Sequence, residues 1–492
     1  MTNNLTNTTS ENTGESVTRK AGRGIVWNFL TYGIGKGGTL ITTAILARLL
    51  TKDDFGLVSV AVIAINYLSV FKDLGLGVAL IQRRNDVDRA ANTVFTINVM
   101  LGFLLSIVTY LCSPWVAQYF NDPLVSPVLR WLGLSFAINA FGAVHIIWLM
   151  RELDYRRKFI PDMGNTLVKS IASIGFAVAG FGVWALVFGQ LLGTFVSVIL
   201  AWVVVSWRPK LMIDREVAGS LMKFGSSVVA GDILSVFSDN IDYTIAGKLF
   251  GLAQLSIYTL AFRLPEMLLV GNLWVMGGVI FPAFSSIQDK PDEMRRGFLT
   301  SVRIIQIIAV PISLGLFVAA DPIVRVVFGE QWLDVIPLLR VLAVYSWVYS
   351  IGYHIGDIYK AVGRPDILFR LTVLNLIVIV PTLLIGSRFG LIGIAWGQLI
   401  AVLVRRTISL TVATRFINIS VFTILKELKS SVAGGVVLVV AAFMALTLTA
   451  NMAPFVQLVI VVLAGAMGYF AVLWFLEREN LSNLLRKVGV PL

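Results

Sequence analysis

Asp232, Asp239 and Asp242 stand in the most polar of the long hydrophobic stretches, and on a helix they fall within about 80° of one another, one acidic face. Ser235, Ser238 and Asn240 add polarity to the same segment. A charge in the hydrocarbon of a bilayer costs at least ~2.5–3.5 kcal/mol, so such groups line a watery path or meet a partner. Carboxylates so placed suit the capture of a proton or a small cation. Cations accompany them elsewhere. Lys36 sits inside Gly33-Ile34-Gly35-Lys36-Gly37-Gly38, where the glycines allow close helix approach. Lys169 is a second isolated cation, and Arg263 and Glu266 flank Pro265 at a spacing that allows them to neutralise each other. Asn66, Ser69 and Asp73 share a face, with Lys72 beside them. His354 and Asp357 share another and form a candidate proton relay, against the plainer reading of a structural histidine. Arg405 and Arg406 complete the set.

Other chemistry is poorly served. Lys36 is no Walker lysine, because the upstream glycine and the following Ser or Thr are missing. The single Cys112 excludes a disulfide or a cysteine cluster, and His145 with His354 are too few for a histidine metal site. Asp53-Asp54 and Asp86-Val87-Asp88 sit in short loops beside basic residues and read as solvated charge. The expectation is a transporter rather than an enzyme, with no cofactor or metal beyond a coupling H⁺ or Na⁺.

The elements that position these groups are membrane spans. Of 492 residues 57% are hydrophobic and 14% charged, with a mean hydropathy of +0.83. Soluble proteins carry about 25% charged residues. Apolar runs long enough to cross a bilayer predict fourteen spans, near 24–47, 56–80, 91–112, 129–150, 160–180, 183–206, 224–248, 255–283, 302–320, 338–360, 367–386, 391–414, 431–450 and 455–476. The net charge of +12 lies mostly in loops on one side, among them Arg83, Arg84 and Arg89, Arg151 with Arg156, Arg157 and Lys158, and Lys290 with Arg295 and Arg296. Basic loops face the cytoplasm, so both termini are expected there, and nucleic acid is not an expected partner. Residues 1–18, rich in Asn, Thr and Ser, read as a disordered tail rather than a cleaved signal.

The chain also repeats itself. Phe181-Gly182 precedes Phe188-Gly189-Gln190-Leu191, and 208 residues later Phe389-Gly390 precedes Trp396-Gly397-Gln398-Leu399. Pro114-Trp115-Val116 with Phe120 matches Pro322-Ile323-Val324 with Phe328 at the same offset, and is expected as a short amphipathic segment on the outer surface. Six spans per half give a parallel repeat. The expected division is a tail 1–20, a lobe 21–207, a linker 208–223, a lobe 224–416, a loop 417–430, two added spans 431–476 and a tail 477–492. On this ruler Lys36 corresponds to the acidic middle of span seven, near Asp242.

Ala47-Arg48-Leu49-Leu50-Thr51 leads to Asp54-Phe55-Gly56-Leu57, and Arg151-Glu152-Leu153-Asp154-Tyr155-Arg156 follows the fourth span. Further on come Phe181-Gly182-Val183-Trp184-Ala185-Leu186-Val187, Asp242 followed by Gly247-Lys248-Leu249-Phe250-Gly251, Tyr258-Thr259-Leu260-Ala261 and Phe281-Pro282. In the order and spacing of these motifs, residues 20–480 resemble the Wzx-type polysaccharide flippases, the colanic-acid-exporter-like branch of the multidrug/oligosaccharidyl-lipid/polysaccharide exporter superfamily. The resemblance is to the family as a whole. It implies an all-α, MATE-like polytopic protein with two six-helix lobes around a cleft lined by spans one, two, seven and eight. It further implies alternating-access flipping of an undecaprenyl-diphosphate-linked oligosaccharide across a bacterial inner membrane, among membrane lipids and with a polysaccharide polymerase and glycosyltransferases as partners. Lys36, Arg48, Lys169, Lys248 and Arg263 are then the expected cationic contacts for the diphosphate and acidic sugars. Asp232, Asp239, Asp242 and Glu266 are the acidic, coupling-ion candidates. A cation-coupled drug antiporter of the MATE type is the alternative within the same class. A membrane-embedded glycan polymerase or ligase is the alternative outside it, and the short, mostly uncharged outer loops speak against that.

Overall fold

The computed structural model describes Trp27 and residues 30–478, and among these every regular element is helical. The expected N-terminal tail and nearly all of the C-terminal one lie outside the described residues. The chain forms two compact units, Met1–Asn240 with Gly251–Ala253, and Ile241–Phe250 with Gln254–Leu492.

The first unit runs through α1 (30–49), α2 (Lys52–Ser69), α3 (Leu76–Gln82), α4 (Val87–Phe120), α5 (Val125–Arg151), α6 (Tyr155–Val178), α7 (Val183–Val204) and most of α8 (Arg215–Phe250). Its helix starts are written in the sequence. Thr51 and Asp54 form a reciprocal cap on α2, with Asp54 N–H donating to Thr51 Oγ1 at 3.2 Å and Thr51 N–H to Asp54 Oδ2 at 3.0 Å. Asp154 caps α6 by accepting from Arg157 N–H at 3.0 Å. Span two, expected as one helix, is broken instead: α2 stops at Ser69, and Leu74 and Gly75 take φ of 48° and 73° in the turn that leads into α3. Asp73 therefore lies in the turn, accepting from Gly75 N–H at 3.0 Å, and does not extend the Asn66–Ser69 face.

The expected linker is part strap and part helix. Residues 205–214 form no regular element, and the main-chain N–H groups of Lys210, Met212 and Asp214 find side-chain oxygens of Asn92, Thr96 and Thr93 on α4. The backbone N–H of Val217 and the adjacent Arg89 guanidinium hold the Asp214 carboxyl below the usual carboxylate range. From Arg215 onward the chain is already α8.

The second unit continues through α9 (Leu252–Pro265), α10 (Gly271–Ser286), α11 (Pro291–Val318), α12 (Ala320–Val327), α13 (Val335–Ser350), α14 (Ile355–Ala361), α15 (Pro365–Ser387), α16 (Leu391–Ile417), α17 (Val421–Glu427), α18 (Lys429–Leu448) and α19 (Pro454–Leu476). A π turn, Glu266–Val270, joins α9 to α10 directly after Pro265, whose missing N–H loosens the helical ladder there. Span ten is also broken, at Gly352 with φ 63° between α13 and α14. Among the described residues nine helices are long and apolar enough to cross a membrane. The remaining expected crossings coincide with the charged or interrupted helices.

The 208-residue repeat has a physical basis. Gly182 and Gly390 precede α7 and α16 with φ of 54° and 79°, a conformation that L side chains resist. Gly189 and Gly397 sit where two helices meet backbone to backbone. A Cβ on Gly189 would come 3.0 Å from Lys169 O of α6, and one on Gly397 would come 2.7 Å from Thr382 O of α15. The second repeat is less symmetric than expected. Pro322–Phe328 falls largely on the separate α12, whereas Pro114–Phe120 is the end of the continuous helix α4.

The added helices are tied to their unit by Arg303 of α11. Its Nε donates to Glu427 Oε2 of α17 at 2.6 Å, and its Nη1 lies 3.9 Å from Glu477 Oε2 beyond α19. Arg303 is about one-third exposed while both carboxylates are largely buried, which places the pair between surface and interior ion pairs. Arg303→Ala is expected to destabilise the protein by about 2 kcal/mol, and Arg303→Lys by less, because the ammonium keeps the charge but not the fork. Thermal unfolding in detergent measures this; an alanine variant that melts like wild type would remove the pair from the stabilising contacts.

Candidate functional site

In the first unit Lys36 is half-buried on α1, its Nζ 5.5 Å from the centroid of the Tyr32 ring, and among the described residues it makes no ion pair. Two of its four glycines pack closely: Cβ atoms built on Gly35 and Gly38 would lie 3.4 Å from Met163 and 3.5 Å from Thr166 of α6, whereas Gly33 and Gly37 face open space. Lys169 is half-buried on that same α6, and its Cβ is 2.8 Å from one built on Gly193 of α7. Arg48 is exposed in the last turn of α1, where a cation complements the carbonyl end of the helix. Asp232 and Asp239 are exposed on α8. Beside them Asn66 Nδ2 of α2 donates to Asn240 Oδ1 at 3.0 Å, and the Tyr67 and Phe237 rings meet at 5.7 Å.

In the second unit Asp242 is only 2% exposed. Tyr258 Oη of α9 donates to its Oδ2 at 2.8 Å. Gln398 of α16 acts on the same carboxylate, yet Oδ1 has no hydrogen-bond partner. A buried carboxylate oxygen without a donor is costly unless a proton or a cation satisfies it. The acidic residues that sequence places on one face therefore meet different surroundings. Lys248 is half-buried in the last turn of α8.

Arg263 and Glu266 are both half-buried, and no ion pair joins them. The π turn begins at Glu266 and shifts the helical register on which their expected pairing depended. His354 and Asp357 do come together, Nδ1 to Oδ2 at 2.8 Å, although they lie at the start of the short α14 rather than in a continuous span. Lys360 Nζ reaches the other Asp357 oxygen at 3.4 Å, and His354 Nε2 is buried with no partner.

Sequence reasoning missed the tyrosines. Rings of Tyr243, Tyr258, Phe262, Tyr345, Tyr349, Tyr353 and His354 follow one another at 5.0–6.4 Å, leading from the neighbourhood of Asp242 to that of Asp357. The signal was present: Tyr345, Tyr349 and Tyr353 recur every fourth residue, one helical face.

The model of a family described as polysaccharide biosynthesis protein matches residues 45–337, more than half of the chain. Lipopolysaccharide biosynthesis protein WzxC of Escherichia coli (strain K12) is 26% identical over 401 residues, 80% of this chain and 81% of WzxC. Teichuronic acid biosynthesis protein TuaB of Bacillus subtilis (strain 168) is 26% identical over 488 residues, 96% of this chain and 99% of TuaB. Among solved structures, the lipid II flippase MurJ in an inward closed conformation superposes with a TM-score of 0.75 at 15% identity, covering 93% of this chain and 99% of MurJ. An inward-facing MATE family multidrug resistance transporter gives 0.66 at 17% identity, covering 77% and 94%. At those identities the likeness is one of fold, and it bears out the all-α, MATE-like polytopic architecture. The matches also bear out the Wzx-type resemblance.

Proposed function

The chain belongs to the polysaccharide biosynthesis protein family, and from that premise we propose that it flips an undecaprenyl-diphosphate-linked oligosaccharide across the bacterial inner membrane for surface polysaccharide export. The family match over residues 45–337 is the observation that carries the reading. The fold likeness to MATE transporters serves a drug antiporter equally well, and the family match favours the glycolipid. In this proposal the lobes 21–207 and 224–416 work by alternating access, over fourteen crossings with both termini cytoplasmic. Lys36, Arg48, Lys169, Lys248 and Arg263 meet the diphosphate and acidic sugars. Asp232, Asp239, Asp242 and Glu266 serve the coupling ion, with His354 and Asp357 as a proton relay. A polysaccharide polymerase and glycosyltransferases act before and after it on the same glycolipid.

What supports the roles is chemistry. Lys36 is a half-buried cation with no ion pair among the described residues, in a helix whose other charged residue is Arg48 in the last turn. Asp242 has an unsatisfied buried oxygen. The test is a gene deletion read by leaflet-resolved glycolipid analysis. Surface polysaccharide is expected to disappear while its lipid-linked repeat unit accumulates in the inner leaflet; normal polysaccharide in the deletion strain would overturn the reading. Lys36→Ala is expected to fail to complement at normal protein abundance, and full complementation would take Lys36 out of the site.

A further inference from the structure

Arg405 and Arg406 stand mid-way along α16, a helix whose outward stripe is Trp396, Ile400, Leu403 and Thr407. Neither arginine lies on that stripe. Their guanidinium carbons are 5.1 and 4.9 Å from the centroid of the Tyr349 ring, and that of Arg406 is 5.8 Å from the Tyr353 ring. Arg406 is 9% exposed; its Nη2 donates to the backbone oxygen of Tyr349, and its Nε is buried without a partner. Arg405 is half-buried and, among the described residues, makes neither hydrogen bond nor ion pair.

Two adjacent guanidinium groups in an apolar helix repel each other and call for a counter-anion. The chain does not supply one among the described residues. The strongest electrostatic neighbours of Arg406 are Arg405 and three tyrosines, Tyr349, Tyr345 and Tyr353. The Asp357 carboxylate is engaged by His354 and Lys360. Paired guanidinium forks match the geometry of a carboxylate or phosphate. Tyr345, Tyr349 and Tyr353 are each half-buried, with rings 5.8 and 5.4 Å apart. The C–H face of a sugar ring packs on such an aromatic surface as other apolar groups do.

We propose that Arg405 and Arg406, with Tyr345, Tyr349 and Tyr353, form a subsite for a sugar ring that carries an oxyanion, either a uronate carboxylate or a sugar phosphate. The subsite lies wholly within the second unit, and Lys36 belongs to the first. It rests on the transport reading for the source of such a sugar, and not for the binding itself.

Purified full-length protein in phosphatidylcholine nanodiscs, titrated by calorimetry or saturation-transfer NMR, tests it. Glucuronate, glucose 1-phosphate or both are expected to bind saturably, and whichever binds names the oxyanion; glucose is expected not to bind. R405Q removes a group with no structural hydrogen bond among the described residues and is expected to weaken binding at least about tenfold. Tyr349→Leu is expected to weaken the sugar more than inorganic phosphate. No binding of either acidic sugar, or equal binding by wild type and R405Q, overturns the proposal. Inorganic phosphate binding as tightly as glucose 1-phosphate, or displacement of the sugars by phosphatidylglycerol in the disc, overturns sugar recognition in favour of a bare oxyanion or a lipid headgroup. Binding lost in R405Q with export intact leaves the subsite standing, whereas normal export in the deletion strain strikes the transport reading alone.

Discussion

Asp242→Asn is expected to leave the protein folded and to lower the outer-to-inner ratio of the proposed glycolipid substrate by about 50-fold at a membrane potential of ~100 mV. The magnitude is that of one charge crossing the potential, about 2.3 kcal/mol, with about 1.4 kcal/mol to each factor of ten. The direction follows from the site. Asp242 is buried, accepts from Tyr258 at 2.8 Å on one oxygen and has no hydrogen-bond partner on the other. A bare charge there is costly, and the proposed transport cycle therefore calls for a proton or a cation on the carboxylate during part of it. Asparagine has the same shape and keeps an oxygen for the Tyr258 hydroxyl, so packing survives while the titratable group is gone. Asp242→Ala instead strands that hydroxyl, at about 1–3 kcal/mol of stability. Proteoliposomes given a pH gradient or a sodium gradient in turn separate the two ions. Gradient-driven flipping that persists unchanged in Asp242→Asn would move coupling away from this residue, to Asp232 and Asp239 first.

The second large effect is structural and has a built-in control. Gly397→Leu is expected to abolish accumulation of folded protein, and Gly397→Ala to destabilise it by about 1–3 kcal/mol. A Cβ at Gly397 would stand 2.7 Å from Thr382 O, 3.0 Å from Thr382 C and 3.3 Å from Leu383 Cα. These are backbone atoms of α15 and cannot turn aside, so α15 and α16 must separate. Gly315 is also inside a helix, α11, but a Cβ there meets nothing within 4 Å. Gly315→Ala therefore adds only helix propensity and is expected to stabilise by about 0.5–1 kcal/mol. Opposite shifts in apparent melting temperature for two Gly→Ala changes are the signature to look for. Shifts of the same sign would mean that the close crossing does not limit stability.

These two sites also show how far the sequence could be read. Gly397 was legible because close packing at an equivalent helix crossing leaves the same residue in the same place twice, 208 positions apart. The caps at Thr51 and Asp154 are also local, each made by residues three apart, although the span limits expected near 56 and 160 passed over them. Hydropathy over one span is equally local, so the membrane class and the all-helical architecture followed from composition and run length. The intramembrane charges could be found in the same way, as exceptions within apolar runs.

What each charge meets is decided elsewhere. Asp232, Asp239 and Asp242 share a helical face, yet the first two are exposed and the third is closed in by Tyr258, sixteen residues on. Arg263 and Glu266 have the spacing of an ion pair and do not form one, because a π turn changes the register between them. The breaks at Gly75 and Gly352 depend on a backbone φ that glycine permits without requiring. Arg405 and Arg406 gain meaning only against Tyr349, more than fifty residues earlier. The sequence by itself determined a membrane-embedded helical protein with a doubled plan and a short set of misplaced charges. The tertiary structure decided which charges are buried, paired or left open, because burial and pairing are set by neighbours that folding brings from distant segments, and helical period carries no record of them.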